Sequence, residues 1–407
     1  MASLYDRLKS AQPIRSQPLP RDGERECLTR SVQVRLDQSC SIHANSQAMS
    51  FLSGGKTDTE YNPEDFLFLD TETTGLSGGA GTLAFLIGLG RIEGENIAVN
   101  QILMRDYHQE AEMIRELLQH TKKAKCLVTY NGAGFDLPLL QGRMIINRME
   151  DPLSEMDHID LLYAARRVFK LRLGRCSLSR MEEEVFRETR KDDLPGSEVP
   201  NRYFEYLNSH DEGLLEQVLD HNRQDIVSLA RLFFHMVRMH DRPLETEHQE
   251  DLFSMGKVFE RQKKHAKAQE CYQACSANSV HDMARLQLAE MYRKNRMDEE
   301  AVREYEALRL GKAMTGRVYI ALAKIYEHRF HKPARALEIA RQGMIYCSER
   351  IALSDAAREE FTDLEHRSQR LMRKVKRLQD DNTRQTQDQE RAAQTPERPK
   401  GRGSGNL

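Results

Sequence analysis

The sequence predicts an α/β domain followed by an all-α repeat domain. Three observations carry this. Short apolar runs alternate with amphipathic helical stretches from residue 66 onward. A long helical pattern over 213–239 closes that region before Pro243. The next hundred residues repeat with a period near 34.

Taken in order, residues 1–60 are weakly patterned, and Pro13, Pro18 and Pro20 break any early helix. Within them Ser31-Val-Gln-Val-Arg-Leu alternates as a strand would. Phe66-Leu-Phe-Leu-Asp70 is the short apolar run of a buried central strand. Leu83–Arg91 and Ile97–Met104 read as two further strands, joined at the hairpin signal Gly94-Glu-Asn. Consecutive strands of this kind make the sheet mixed. Glu110–Gln119 reads as a helix, with Met113, Ile114, Leu117 and Leu118 on one stripe. Cys126-Leu-Val-Thr-Tyr130 is another buried strand. It ends in Asn131-Gly132, and a helix begins near Leu137. Residues 188–200, polar and carrying Pro195, Gly196 and Pro200, form a loop.

The first domain therefore spans 61–242, with its boundary at about 240–248. Over 248–348, Leu252, Gly256, Phe259, Ala268 and Tyr272 recur as Arg285, Ala289, Tyr292, Ala301 and Tyr305. A third copy runs Tyr319, Ala323, Tyr326, Ala336 and Ala340, and a small residue precedes each aromatic by three. The pattern resembles the tetratricopeptide (TPR) repeat, in which a small residue lets two helices approach and an aromatic fills the gap. Such a domain implies a protein partner. Residues 349–378 read as one basic helix holding Arg367, Arg370, Arg373, Lys374, Lys376 and Arg377. Residues 379–407, poor in apolar side chains, are expected to be disordered.

Composition narrows the function classes. The chain has 407 residues, with 61 basic against 63 acidic side chains. No global field draws it onto a polyanion, so any such site is a local patch. Trp is absent. The seven Cys (27, 40, 126, 176, 271, 275 and 347) form no C-x-x-C pair, which argues for reduced thiols and against a zinc ribbon. Asp6, Arg7 and Lys9 stand where a signal peptide needs an apolar stretch, and no apolar run approaches the ~20 residues of a membrane span. The expectation is a cytoplasmic protein with no membrane segment.

The chemistry lies in carboxylates. Asp70-Thr-Glu72 follows directly on an apolar strand, and residues two apart share a face. Two adjacent anions repel unless a cation stands between them. Carboxylates suit magnesium or manganese. Asp136 lies where a strand gives way to a helix, in Tyr130-Asn-Gly-Ala-Gly-Phe-Asp136. His221-Asn-Arg-Gln-Asp225 puts an imidazole and a carboxylate on one helical face. Taken singly, each has an ordinary reading: a surface acid, a helix cap, a solvated pair. Together they supply what two-metal phosphodiester hydrolysis requires.

With these motifs in hand, residues 66–235 resemble the DEDD exonuclease branch of the ribonuclease H superfamily. Asp70-Thr-Glu72-Thr-Thr-Gly-Leu76 is similar to its first motif, Asn131-Gly-Ala-Gly-Phe-Asp136 to its second, and His221 to Asp225 to its third. The resemblance implies a mixed five-stranded sheet with flanking helices. It implies Asp70, Glu72, Asp136 and Asp225 as ligands of two Mg2+ or Mn2+ ions, and His221 as general base. It implies 3′–5′ hydrolysis of single-stranded nucleic acid, DNA or RNA. Histidine-type members usually keep five residues from His to Asp. Here the spacing is four, as in the tyrosine type, so reach decides the base. The whole chain is similar to the bacterial YprB-like ribonuclease H proteins, on His158-Ile-Asp-Leu, Asp193-Leu-Pro-Gly-Ser-Glu-Val-Pro and His221-Asn-Arg-Gln-Asp225.

Beside the carboxylates, Asn131 and Phe135 are candidate nucleic-acid contacts. Arg166, Arg167, Lys170, Arg172, Arg175 and Arg180 form an acid-free basic run. It fits a solvated face or a phosphate-contacting patch equally, with Arg172 and Arg175 as the candidate contacts. Gly75–Gly81 lacks the Lys-Ser/Thr of a phosphate loop and reads as a turn beside the site. Asp160 reads as a helix cap. Two other functions remain open: a TPR adaptor whose nuclease-like domain only binds, and an endonuclease on the same fold.

Overall fold

The computed structural model of the chain describes residues 26–36, 43–75, 81–190, 194–276, 278–311 and 315–393. It divides into two compact units, Met1–Gln262 and Lys263–Leu407. The Gly75–Gly81 turn (from 76 to 80), Asp192, Asp193 and the chain before residue 26 lie outside the described residues.

The first unit contains β1 (Leu28–Arg35), α1 (Ser46–Ser53), β2 (Phe66–Thr73), β3 (Ala84–Glu93), β4 (Asn96–Leu103), α2 (Glu110–Thr121), β5 (Cys126–Thr129), α3 (Asp136–Ile146), β6 (Asp157–Asp160), α4 (Leu161–Leu173), α5 (Leu178–Met181), a π-helical turn (Glu182–Phe186), α6 (Val199–Ser209), α7 (Gly213–Asp241) and α8 (Gln249–Arg261). The sheet order is β1-β4-β3-β2-β5-β6. From β1 to β2 the neighbours are antiparallel, and β2, β5 and β6 are parallel. The sheet is mixed, as the consecutive strands predict. It has six strands rather than the expected five. The alternating segment in the weakly patterned stretch pairs with β4 from Leu28↔Leu103 to Arg35↔Asn96 and makes the extra edge. That stretch also holds α1, which Asn45 caps by accepting from the backbone N–H of Ala48.

Strand β2 lies where parallel and antiparallel pairing meet, between β5 and β3. Its Phe66, Leu67, Phe68 and Leu69 are buried, so the Asp70–Glu72 end is held rigidly. Helix α7 crosses β2, β3 and β4. Two glycines of β3 permit that approach. A Cβ at Gly88 would stand 2.2 Å from Oδ1 of Asn222, and one at Gly90 would stand 2.6 Å from Cγ2 of Ile226.

The second unit is helical: α9 (His265–Ala274), α10 (Asn278–Lys294), α11 (Asp298–Leu310), α12 (Gly316–His328), α13 (Pro333–Ser348) and α14 (Asp355–Ala393). Helix α10 packs on α11, α12 on α13, and α13 on α14. The small residues Ala289, Ala301, Ala323, Ala336 and Ala340 and the aromatics Tyr272 and Tyr305 are buried in it. The boundary falls later than 240–248. Helix α8, which carries Leu252, Gly256 and Phe259, belongs to the first unit, where it packs on α4 and pairs Asp251 with Arg172. Helix α14 runs past residue 378 to Ala393, so the first part of the expected disordered tail is helical; 394–407 lie outside the described residues. Of the six basic residues from Arg367 to Arg377, three are structural. Arg367, Arg370 and Lys374 converge on the carboxylate of Glu327, which is 3 % exposed.

Candidate metal centre

The strand end of β2 points Asp70 and Glu72 toward α7, where His221 and Asp225 sit one turn apart. Glu72, His221 and Asp225 each offer a ligand atom, and the three atoms lie within 4.8 Å of one another. The His221 Nε2 stands 3.3 Å from Oδ2 of Asp225 and 3.8 Å from Oε1 of Glu72.

Asp70 is fixed from the helix side. Asn222 donates its amide to Oδ2 of Asp70 at 2.9 Å. Gln101 of β4 donates to Oδ1 of Asn222 at 3.0 Å and to the Leu219 carbonyl at 2.7 Å. Both amides are buried, so this polar pair is satisfied in a low-dielectric interior. Asp70 pairs across the ladder with Gly88, whose missing side chain is the space Asn222 fills. Asp136, at the start of α3, accepts a hydrogen bond from the Thr71 hydroxyl.

The turn that presents Asp136 is held by Asp160. Its carboxylate accepts from the backbone N–H of Asn131 at 2.7 Å and of Ala133 at 3.2 Å. It also accepts from Leu162 at 3.1 Å, as the N-cap of α4. Asn131 has φ 66°, the left-handed conformation a tight turn needs. Phe135 is 53 % exposed beside Asp136.

Burial is the largest influence on these acids. It raises Asp70 well above the usual carboxylate range, and Asp225, Asp136 and Glu72 add like-charge repulsion. Glu72 is pushed up to about 8 by burial, which the His221 imidazole partly offsets. Asp136 and Asp225 are raised by burial too. Four carboxyls held in this way fit a divalent cation, since a cation would replace their protons. Hard oxygen donors with one imidazole suit magnesium or manganese.

One participant carries no motif. Arg190 binds Glu182 through Nε at 2.5 Å and Nη2 at 2.6 Å, donates to Oδ1 of Asp225, and places Nη1 3.2 Å from Nδ1 of His221. Glu182, in the π-helical turn, is 1 % exposed. Against burial, Glu182 and Asp225 hold the guanidinium pKa above its ordinary value. Arg190 follows no helical or strand period, so no pattern singles it out. Asn222 did leave a signal: it is a polar residue within the apolar stripe Leu215, Val218, Leu219, Ile226 and Leu229. Gly88 and Gly90, glycines within an apolar strand, left another.

Of the other expected contacts, Arg175 is exposed and Asn131 half-buried. Arg172 is corrected. Its guanidinium, 12 % exposed, is taken up by Asp251 at 2.8 Å and Glu184 at 3.8 Å, so it is not presented to a phosphate. Among the described residues no helix is long and apolar enough to cross a membrane.

Residues 67–237 match the RNase_H_2 family of the RNase_H superfamily. The chain is 34 % identical over 366 residues to the protein YprB of Bacillus subtilis (strain 168), described as uncharacterized; the match covers 86 % of each. Among solved structures it is similar to the family B DNA polymerase of the hyperthermophilic archaeon Pyrobaculum calidifontis. That likeness has a TM-score of 0.34 and 15 % identity, and covers 48 % of this chain and 29 % of the polymerase. The sheet, the length of the match and the family assignment agree: the chain belongs to the YprB family and carries an RNase_H superfamily domain.

Proposed function

We propose that the chain is a metal-dependent 3′–5′ exonuclease acting on single-stranded nucleic acid. The observation that carries this reading is the convergence of Glu72, His221 and Asp225 within 4.8 Å, beside Asp70 and Asp136, in an RNase_H superfamily domain.

Asp70, Glu72, Asp136 and Asp225 would hold two Mg2+ or Mn2+ ions. Such ions, when bound, polarise the phosphodiester and acidify the attacking water. Asn222 keeps Asp70 in place, and the Thr71 hydroxyl orients Asp136. His221 stands between Glu72 and Asp225 with Nε2 toward both. Because Arg190 donates toward Nδ1, the neutral ring carries its proton on Nε2, where it orients the attacking water as a donor; taking the water's proton there requires the Arg190 contact to break. Arg190 occupies one oxygen of Asp225 and leaves Oδ2 facing the imidazole. Phe135, exposed at the turn, offers a stacking surface for a terminal base.

The helices of the second unit, with their period near 34 and buried small residues, support a TPR-like partner-binding role.

The test is hydrolysis of end-labelled single-stranded DNA and RNA with Mg2+ or Mn2+. Wild type is expected to shorten the strand from its 3′ end. Asp70→Asn with Glu72→Gln should lower the rate by at least about 10³-fold, or ~4 kcal/mol. Equal cutting by the double variant overturns the assignment. Cutting of a circular single strand would make the enzyme an endonuclease. Carboxylate-independent nucleic-acid binding without hydrolysis would make it an adaptor.

A further inference from the structure

The six basic residues of 166–180 separate into two sets. Arg167 donates to the carbonyls of Phe51 and Leu52 at 2.7 and 3.1 Å. Arg172 is held by Asp251 and Glu184, and Arg180 by Glu183 and Glu184. These three are structural. Arg166, Lys170 and Arg175 are exposed, and among the described residues none of them meets a carboxylate.

The second set is ordered in space. Tyr163, Arg166 and Lys170 stand at i, i+3 and i+7, one face of α4. Helix α4 contains no acidic residue. Tyr163 is 48 % exposed. Arg175 follows at the Gly174 turn that ends the helix. The face begins at the metal centre, because Asp160 caps α4 and also grips the turn that carries Phe135 and Asp136. At the other side of that turn the Tyr130 hydroxyl donates to the Cys176 carbonyl at 2.6 Å, next to Arg175. Arg166 and Lys170 lie near enough to draw down the Cys176 thiol against its burial.

An exposed aromatic with unpaired cations along one face, leading from a second exposed aromatic at a carboxylate centre, has the chemistry of a track for a flexible polyanion with stackable rings. We infer that Tyr163, Arg166, Lys170 and Arg175 bind the single strand upstream of the scissile bond, with Phe135 at the terminal end. The inference rests on the exonuclease reading and deepens it: it gives the substrate a direction across the surface.

The test is fluorescence anisotropy of a labelled single-stranded oligonucleotide with the full chain in EDTA, across a range of salt. Arg166→Gln with Lys170→Gln and Arg175→Gln should bind at least about tenfold more weakly at 0.1 M salt. Its plot of log affinity against log salt should be shallower by about 2, since each phosphate contact to a single strand contributes ~0.7. Tyr163→Ala should weaken binding about fivefold or more with the slope unchanged. Lys122→Gln with Lys123→Gln, near α2, should change neither. Unchanged affinity and slope in the triple variant, or an equal loss in the α2 control, overturns the track. Wild type and Asp70→Asn with Glu72→Gln are also assayed on the p-nitrophenyl ester of thymidine 5′-monophosphate, a single nucleotide with no upstream phosphate for the track to hold. If wild type shows no cleavage dependent on Asp70 and Glu72, the exonuclease reading fails, and the anisotropy result stands apart from it.

Discussion

At the scale of single residues, the centre is a balance between burial and charge. The Glu72 carboxyl sits at about 8, against 4.5 in the open chain, chiefly because it is buried. The folded chain therefore holds that proton more tightly than the unfolded chain. This contribution to stability is fully present below pH ~4.5 and is lost as the pH rises through ~8. In EDTA the melting temperature should fall between about pH 5 and pH 8. Glu72→Gln should make the fall shallower, and Mg2+ or Mn2+ should oppose it by taking the place of the proton. An identical slope for Glu72→Gln contradicts this reading. Arg190 gives a second test. Arg190→Gln leaves the buried Glu182 without its cation and should cost about 3–5 kcal/mol in urea unfolding. Glu182→Gln with Arg190→Gln should cost clearly less. If the double variant is the less stable one, the pair is not what holds the turn. Asp70, Glu72, His221 and Asp225 were legible because strand and helix periods place them without reference to anything distant. Arg190 and Glu182 were not, because their pairing depends on a loop path that no local period encodes. Arg172 looked like a phosphate contact for the same reason: its partner Asp251 is distant in sequence.

At the scale of elements, the fit between α7 and the sheet decides where Asp70 points. Gly88 leaves the space that Asn222 uses to reach Asp70. Gly88→Ala puts a methyl group 2.2 Å from Oδ1 of Asn222. It should lower stability by about 1–3 kcal/mol and reduce Mn2+ affinity with it. An alanine variant with wild-type unfolding and metal binding would show that the helix does not depend on this contact. The elements themselves were largely readable. Strands near Phe66, Leu83, Ile97 and Cys126 and helices near Glu110, Leu137 and Gly213 all form, within a few residues of the expected ends. The edge strand β1 was readable only as alternation, since an edge becomes a strand when it finds a partner, and its partner β4 is sixty residues away. In the basic stretch of α14 the single buried acid Glu327 takes up three cations, a pairing that no local pattern within the helix encodes.

For the whole molecule, alternating apolar runs followed by a repeat gave a two-part architecture, and the chain does form two units. The boundary moved because α8 carries the repeat's small and aromatic residues yet packs on α4 and buries Asp251 against Arg172. A repeat pattern records helix-to-helix fit and does not say which neighbour a terminal helix will take. The central claim is that acids far apart in sequence form one cation-binding centre. Calorimetric titration of Mn2+ into the metal-free protein tests it most directly. Wild type should bind Mn2+ in a step that Asp70→Asn with Glu72→Gln removes, with both proteins equally folded. Saturable binding that persists undiminished in the double variant, or none in wild type, would contradict the account.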